Sequence, residues 1–168
     1  MRLITAHEHT GLAAALMHDL KYRGAVGYAD LVAARLAPRV PAAPVAAIPR
    51  SWARYGIYGV DAAEEIAIRI ARLNRVPLVR LFDRRWHTPR RAGHNRNRPA
   101  TPALLRVRPE EPVVLVDDVV TTGATLMSAI RSIGRELVIL TVAANDAASP
   151  STLAGMSQAD GLGSRRSP

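Results

Sequence analysis

The chain has 168 residues, 48% of them apolar, which suffices for one compact domain with a buried core. It contains no cysteine, so neither a disulfide nor a thiolate zinc site can form within it. The formal net charge is +9, and Lys21 is the only lysine. Arginine suits phosphate and pyrophosphate, so this excess favours an anionic partner, but a general bias toward arginine accounts for it about equally well.

The sequence shows no sign of a membrane segment. No apolar run approaches the roughly 20 residues that a membrane-spanning helix needs. The first ten residues carry Glu8 and lack the long apolar core of a signal peptide. We therefore expect a cytoplasmic protein that makes no membrane contact.

Two helices are predicted near the beginning of the chain. Leucine and alanine recur at helical spacing from Gly11 to Leu20, and Gly24 suits the end of that helix. A second helix is expected from Tyr28 to Leu36, with Leu31 facing inward. Three prolines then break the chain: Pro38, Pro41 and Pro44.

Short strands and one longer helix are predicted in the middle of the chain. Val45 to Ile48 indicates a buried strand that runs into the turn Pro49-Arg50-Ser51. This turn is basic and bears a hydroxyl, which suits an anion, but a solvated turn is about equally consistent with it. Further along we expect a turn at Gly56 to Tyr58 and a helix from Asp61 to Leu73. Asp61 would cap this helix, and Leu73 would face inward. A strand is expected from Leu78 to Phe82.

The most informative stretch begins at Val113. Four apolar β-formers predict a strand that is buried on both faces and ends in the adjacent carboxylates of Asp117 and Asp118. The turn Thr121-Thr122-Gly123-Ala124-Thr125 then opens a predicted helix. Open α/β sheets bind ligands at the carboxyl ends of their strands. The start of a helix attracts phosphate through its free N–H groups and its dipole, so this stretch predicts a phosphate-binding site.

Three other interpretations of this stretch fit its residues less well: a solvated strand end, a Walker P-loop and a receiver domain. A solvated strand end does not require the turn of threonines and glycine that follows. A Walker P-loop requires lysine after its last glycine, whereas Gly123 is followed by Ala124 and Thr125. Receiver domains also end a strand in paired acids, but they need a lysine late in the chain, and none follows Asp118.

Residues 116–125, Val-Asp-Asp-Val-Val-Thr-Thr-Gly-Ala-Thr, resemble the phosphoribosyl-pyrophosphate (PRPP) motif of type I phosphoribosyltransferases. The resemblance implies that Asp117 and Asp118 contact the ribose 2′- and 3′-hydroxyls. It implies that five residues wrap the 5′-phosphate: Thr121, Thr122, Gly123, Ala124 and Thr125. Mg²⁺ would be held mainly by substrate oxygens, with help from the two aspartates. In that fold the loop after the first core strand holds pyrophosphate, which makes Arg50 and Ser51 candidates for this role.

A polar segment without periodicity runs from Asp83 to Pro102 and contains Trp86 and several arginines. In the fold that the motif resembles, this place holds a hood over the active site, and arginines there would stabilise the departing pyrophosphate. Arg84, Arg85 and Arg90 are therefore candidate catalytic residues. Arginines beside an aromatic ring also suit DNA or RNA, and a merely solvated loop is the remaining alternative.

Three further features resemble the ComF branch of this family, which is associated with DNA uptake competence. They are Leu20-Lys21-Tyr22-Arg23-Gly24, the strand end at Ile48-Pro49, and a loop with Arg85, Thr88 and Asn97. The chain also departs from the branch. It has no cysteine for the zinc ribbon that commonly precedes the Lys-Tyr-Arg-Gly segment, Tyr58-Gly59-Val60-Asp61 replaces an Arg-Gly-Phe-Asn segment, and Arg90 replaces a loop glutamine.

The resemblance implies Mg²⁺-dependent transfer of the 5-phosphoribosyl group from PRPP to a nitrogen acceptor, with release of pyrophosphate. Hypoxanthine- and guanine-type transferases usually carry an aspartate base where this chain has Thr121, which disfavours a 6-oxopurine acceptor. The alternative is a non-catalytic, competence-associated nucleic-acid-binding protein with a vestigial or sensory PRPP site. A degenerate structural paralogue is a third hypothesis. The acceptor, the retention of catalysis and assembly into a homodimer stay open.

The order of the predicted elements indicates an α/β fold of three layers, with a mostly parallel sheet and helices on both faces, as in type I phosphoribosyltransferases. Leu137 to Ala143 supplies the last buried strand. We expect one domain over residues 1–146. Residues 147–168 are rich in small and polar residues, so they are expected to form a disordered tail.

Overall fold

The computed structural model describes residues 2–86 and 104–146. The strands in these ranges are β1 (Arg2–Glu8), β2 (Val45–Ala47), β3 (Phe82–Asp83), β4 (Leu104–Leu105), β5 (Val113–Val120) and β6 (Val138–Asp146). The α-helices are α1 (Gly11–Arg23), α2 (Gly27–Leu36), α3 (Trp52–Tyr58), α4 (Ala62–Asn74) and α5 (Ala124–Ile133). The protein is therefore mixed α/β, as the sequence predicted.

A parallel sheet forms the centre of the described structure. Its four strands lie in the order β1-β6-β5-β2, and every pairing between them is parallel. Val114 of β5 pairs with Val45 of β2 on one side and with Leu140 of β6 on the other. Parallel neighbours need crossover connections, and α5 provides the one between β5 and β6. β3 and β4 form a separate antiparallel pair.

The side chains of β5 pack alternately on the two faces of the sheet. Val114 and Val116 belong to an apolar cluster that also contains buried residues of α1, α2 and α4. Val113 and Leu115 belong to a second cluster, which α5 completes. Burial on both faces accounts for the uninterrupted apolar run in the sequence, and each such side chain stabilises the fold by about 1.5–3 kcal/mol.

Two predicted helices that flank the site are confirmed. Asp61 is the N-cap of α4, and its carboxylate accepts the N–H of Glu64 at 3.4 Å. α5 begins directly after Gly123, which adopts a left-handed conformation with φ of 68°. A residue without a Cβ adopts this conformation at little cost, so the glycine sets the sharp entry into α5.

Several local predictions are wrong. Gly56 to Tyr58 is the last part of α3 rather than a turn. Leu31 and Leu73 do not face inward, since they are 61% and 56% exposed. The predicted strand from Leu78 to Phe82 consists only of one bridge, from Leu78 to Val45, and of the first residue of β3. The apolar pattern located the helices that contain Leu31 and Leu73, but packing against the rest of the fold decided which side of each helix is buried.

Two predicted segments lie largely or wholly outside the described residues. The proposed tail, residues 147–168, is wholly outside them, as is most of the hood, including Arg90. Within residues 2–86 and 104–146, no helix combines the length and the apolar character that crossing a membrane requires.

Candidate functional site

The two acids of the motif lie within β5, which continues past them to Val120 instead of ending at Asp117. Both side chains fold back toward the strand. The carboxylate of Asp117 accepts the N–H of Asp118 at 2.8 Å, and the carboxylate of Asp118 accepts the N–H of Val119 at 2.6 Å. Each acid therefore keeps its second carboxylate oxygen for another partner.

The neighbouring acids differ in their environment. Burial, and then the charge of Asp118, raise the pKa of Asp117 to about 7, while the bond from the Asp118 N–H and the charge of Lys21 oppose the shift. Near neutral pH a large fraction of the Asp117 carboxyls carries a proton. A protonated carboxyl both donates and accepts hydrogen bonds, which suits a hydroxyl ligand.

Asp118 is held by a cation from the end of α1. Lys21 Nζ lies 2.9 Å from Asp118 Oδ2, and both side chains are largely buried, with 16% and 17% of their surface exposed. The alternation along β5 accounts for this contact. Asp118 lies on the same face as Val114 and Val116, and α1 packs on that face through Met17 and Leu20.

A second cation, Arg50, faces the same carboxylate oxygen. Its Nη2 lies 3.9 Å from Asp118 Oδ2. Its Nη1 donates to the carbonyl of Lys21 at 2.8 Å, and its guanidinium carbon lies 5.5 Å and 6.0 Å from the ring centres of Tyr22 and Tyr58. These contacts fix Arg50 from several sides, so its positive charge has a defined position beside Asp118.

Asp61 connects the Arg50 turn to the segment that begins the hood. The buried Asp61 Oδ2 accepts the N–H of Arg50 at 2.8 Å and the Nη1 of Arg84 at 2.5 Å. Arg84 also pairs with Glu64, and its guanidinium carbon lies 4.3 Å from the ring centre of Tyr55. Both terminal nitrogens of Arg84, a catalytic candidate, therefore contact carboxylates of this network.

The other predicted residues of this region have varied positions. Ser51 is buried, and its carbonyl accepts the N–H of Tyr55 at 2.9 Å, so its backbone begins α3. Arg85 has its Nε buried without a hydrogen-bond partner, while its carbonyl accepts the N–H of Trp52 at 2.6 Å. Arg90 lies outside the described residues.

The threonine-bearing turn leads directly into α5. Thr121, Thr122 and Thr125 are exposed, whereas Gly123 is buried. The N–H of Ala124 donates to the Thr122 hydroxyl at 3.4 Å. The first N–H groups of a helix have no carbonyl partner within it, so the start of α5 offers donors and a positive dipole end. Exposed hydroxyls beside such donors match the chemistry of a phosphate site.

The structure brings Asp118 and Arg50 together, as expected of residues at one sheet edge. It adds residues that the sequence did not assign to the site: Lys21, Tyr22, Tyr58 and Asp61. The segment Leu20 to Gly24 is visible in the sequence as a motif, but nothing there places its lysine against β5. The segment from Tyr58 to Asp61 stands out only as a departure from a family pattern, although both of its end residues contact Arg50.

A separate cavity of about 500 Å³ lies beside β1. Its lining includes Thr5, His7 and Arg35 but no residue of the motif. Burial, and then the charge of Arg35, lower the pKa of His7, so this histidine is neutral near pH 7. The cavity is distinct from the cluster around Asp118.

Comparison with known proteins gives no assignment, since no protein-family model and no curated protein matches the chain. Among the residues that the structure describes, no three histidine, cysteine, aspartate or glutamate side chains form a group that could hold a metal ion. The chemistry of the site therefore follows from the acids, the two cations and the phosphate-suited turn.

Proposed function

We propose that the protein binds PRPP and transfers its 5-phosphoribosyl group to a nitrogen acceptor, releasing pyrophosphate. The observation that carries the proposal is the position of Asp118. It lies near the carboxyl end of the parallel strand β5, stands beside two cations, and precedes a threonine- and glycine-bearing turn that opens a helix. A ligand that combines a diol, a phosphate and a pyrophosphate matches these three kinds of group.

Each part of this ligand has a matching partner in the proposal. The ribose hydroxyls bind the carboxyls of Asp117 and Asp118, which accept hydrogen bonds. The 5′-phosphate binds the turn from Thr121 to Thr125, where hydroxyls and helix N–H groups converge. The pyrophosphate lies near Arg50, with Ser51 beside it in sequence, because a fixed guanidinium group stabilises a diphosphate.

The proposed reaction needs positioning and charge stabilisation rather than a protein nucleophile. The acceptor nitrogen forms a bond to C1′ while the bond from C1′ to the pyrophosphate oxygen breaks, and pyrophosphate leaves with both bonding electrons. Positive charge develops on the ribose and negative charge on the leaving group, so the acids and Arg50 stabilise opposite ends of the same change. The proton of the acceptor nitrogen passes to solvent.

Magnesium fits this proposal as an ion that the substrate carries. Mg²⁺ keeps several waters and binds through one or two carboxylates together with substrate phosphates. Asp117 and Asp118 are the only carboxylates of the motif, and Asp118 is already paired with Lys21. When bound, the ion would neutralise charge on the pyrophosphate, and these two aspartates would help to hold it.

We further propose that the mixed α/β arrangement is the three-layer fold of type I phosphoribosyltransferases. The two apolar clusters on opposite faces of the parallel sheet support this proposal, since each is closed by helices.

The acceptor is a nitrogen nucleophile other than a 6-oxopurine. Thr121 supports this limit because a hydroxyl cannot serve as a base at neutral pH.

Calorimetric titration of PRPP in the presence of Mg²⁺ tests which residues form the site. Asp118→Asn removes the charge of a residue that is proposed to bind the ribose diol. Thr125→Val removes a hydroxyl from the turn that is proposed to bind the 5′-phosphate. Each should weaken binding by about tenfold to a hundredfold, since hydrogen bonds to charged groups contribute about 1.5–3 kcal/mol. Asp30→Asn and Thr10→Val change exposed residues of the same types outside the site, and should bind like the wild type. Equal affinities in all five proteins would refute the assignment.

Exposed aromatic rings beside arginine favour a second candidate function, the binding of nucleic acid. Trp52 and Trp86 are 43% and 75% exposed, and their ring centres are 6.3 Å apart. Arg84 lies 5.7 Å from the Trp52 ring. Such rings stack bases, and a net charge of +9 attracts a phosphate backbone. This function is supported if the protein still binds single-stranded DNA at physiological salt and if Trp52→Ala lowers that affinity. Binding that vanishes at physiological salt is non-specific electrostatic attraction.

A further inference from the structure

The ion pair between Lys21 and Asp118 closes the position that a ligand hydroxyl needs. One oxygen of Asp118 accepts the N–H of Val119, and the other lies 2.9 Å from Lys21 Nζ. A diol that binds Asp118 therefore meets an oxygen already taken by a cation. Both side chains are largely buried, so breaking the pair without compensation leaves two poorly solvated charges.

The two cations at Asp118 differ in freedom of movement. Arg50 is fixed by the carbonyl of Lys21, by the rings of Tyr22 and Tyr58, and through its own N–H by Asp61. The ammonium group of Lys21 stands on a flexible chain of four carbons, and Asp118 is its ion-pair partner. Lys21 is thus the cation that can change its partner while Arg50 remains in place.

We propose that Lys21 determines specificity for a diphosphate-bearing ligand by exchanging Asp118 for the pyrophosphate group. This inference rests on the proposed PRPP site. PRPP frees the Asp118 carboxylate for its ribose and gives Lys21 a new anionic partner beside Arg50. Ribose 5-phosphate has the same diol and phosphate but no pyrophosphate, so its binding breaks the ion pair and leaves Lys21 without a partner. Lys21 therefore favours the binding of PRPP over that of ribose 5-phosphate, the hydrolysis product of PRPP.

Substitution of Lys21 should weaken the binding of PRPP without weakening that of ribose 5-phosphate. In Lys21→Met, PRPP binding weakens by about tenfold or more, because a charge-assisted contact to the pyrophosphate is lost. Ribose 5-phosphate binding stays the same or tightens, because no ion pair has to be broken. Lys21→Arg keeps the charge and should preserve most of the preference. Arg23→Met is the matched control, since Arg23 lies on the same helix, is 72% exposed and pairs with Asp19.

Calorimetric titration of both ligands into the wild type and these three variants, with Mg²⁺, separates the possible outcomes. If the preference for PRPP collapses in Lys21→Met alone, the exchange is supported. If both affinities change by the same factor, the ion pair is only a structural link between α1 and β5, and the inference is wrong. If the wild type binds neither ligand, the proposed function fails first and the inference with it.

A spectroscopic test does not depend on any variant folding. Because Lys21 is the only lysine, protein labelled with ¹³C at lysine Cε gives one lysine signal. Addition of PRPP or of Mg²⁺-pyrophosphate should shift this signal, since the ammonium group changes partner. Ribose 5-phosphate should shift it differently, since the ammonium group then loses Asp118 and gains no pyrophosphate. An unchanged signal in the presence of saturating PRPP overturns the exchange.

Discussion

The backbone N–H of Arg50 donates to the carboxylate of Asp61, 11 residues further along the chain, at 2.8 Å. The same Asp61 oxygen accepts the guanidinium group of Arg84 at 2.5 Å. One buried acid thus joins the turn after β2 to the segment after β3, and it also caps α4. The position of Arg50 at the candidate site depends on a residue that contacts no proposed substrate.

Asp61→Asn should therefore destabilise the protein. The largely buried guanidinium group of Arg84 loses one of its charged partners, and breaking a buried ion pair costs about 3–5 kcal/mol, although Glu64 retains part of the interaction here. Urea unfolding of the variant and of Asp83→Asn, an exposed control, measures the difference. A loss of less than about 0.5 kcal/mol, the usual range for surface substitutions, would show that Asp61 does not organise this region.

The raised pKa of Asp117 predicts a specific dependence of stability on pH. Its pKa is about 7 in the folded protein against an ordinary value of 3.8, so between these values the folded state binds more protons than the unfolded state. The Asp117 contribution therefore lowers the free energy of unfolding as pH rises from about 4 to 7, by on the order of 4 kcal/mol in total. The loss is complete about one pH unit above the folded pKa.

Asp117→Asn removes this titration. The free energy of unfolding of the variant minus that of the wild type should therefore increase steadily from pH 4 to pH 8. Urea unfolding at several pH values measures that difference. If it stays constant with pH, Asp117 titrates normally and its burial does not favour the protonated form.

The left-handed conformation of Gly123 makes it sensitive to substitution. Gly123→Ala places a Cβ at φ of 68°, which costs about 1–2 kcal/mol, and should also disturb the phosphate turn. Gly27→Ala is a matched control, because Gly27 lies in α2 and a Cβ built on it has nothing within 4 Å. That control should be neutral or stabilise the protein by up to about 1 kcal/mol. Thermal unfolding with and without PRPP distinguishes the two variants, and similar behaviour in both would contradict the role of Gly123.

Much of the fold could be predicted because it follows from local pattern. The buried run from Val113 to Val116 specified a strand covered on both faces, and the helices α1, α2 and α4 followed from apolar periodicity. Asp61 could be predicted as a cap because a carboxylate before a helical pattern satisfies free N–H groups. β1 was not predicted, since Arg2 to Glu8 lacks a clear alternation of apolar and polar residues.

The contacts that define the candidate site were harder to predict, because they join distant parts of the chain. The acids and the phosphate turn lie in one continuous stretch that is visible as a motif. Lys21 comes from a helix almost one hundred positions earlier, and only the packing of α1 on the Val114 face of the sheet brings it to Asp118. Tyr22 and Tyr58 are likewise distant in the sequence, yet their ring centres lie 4.8 Å apart beside Arg50.

Whether the wild-type protein binds PRPP in the presence of Mg²⁺ decides if the cluster around Asp118 is a phosphoribosyl site. We predict saturable binding in a calorimetric titration, with one site per chain. At a hundredfold excess over Kd, we also expect an increase in the free energy of unfolding of about 2.7 kcal/mol. The absence of both a saturable heat and a thermal shift at millimolar PRPP would contradict the proposed function.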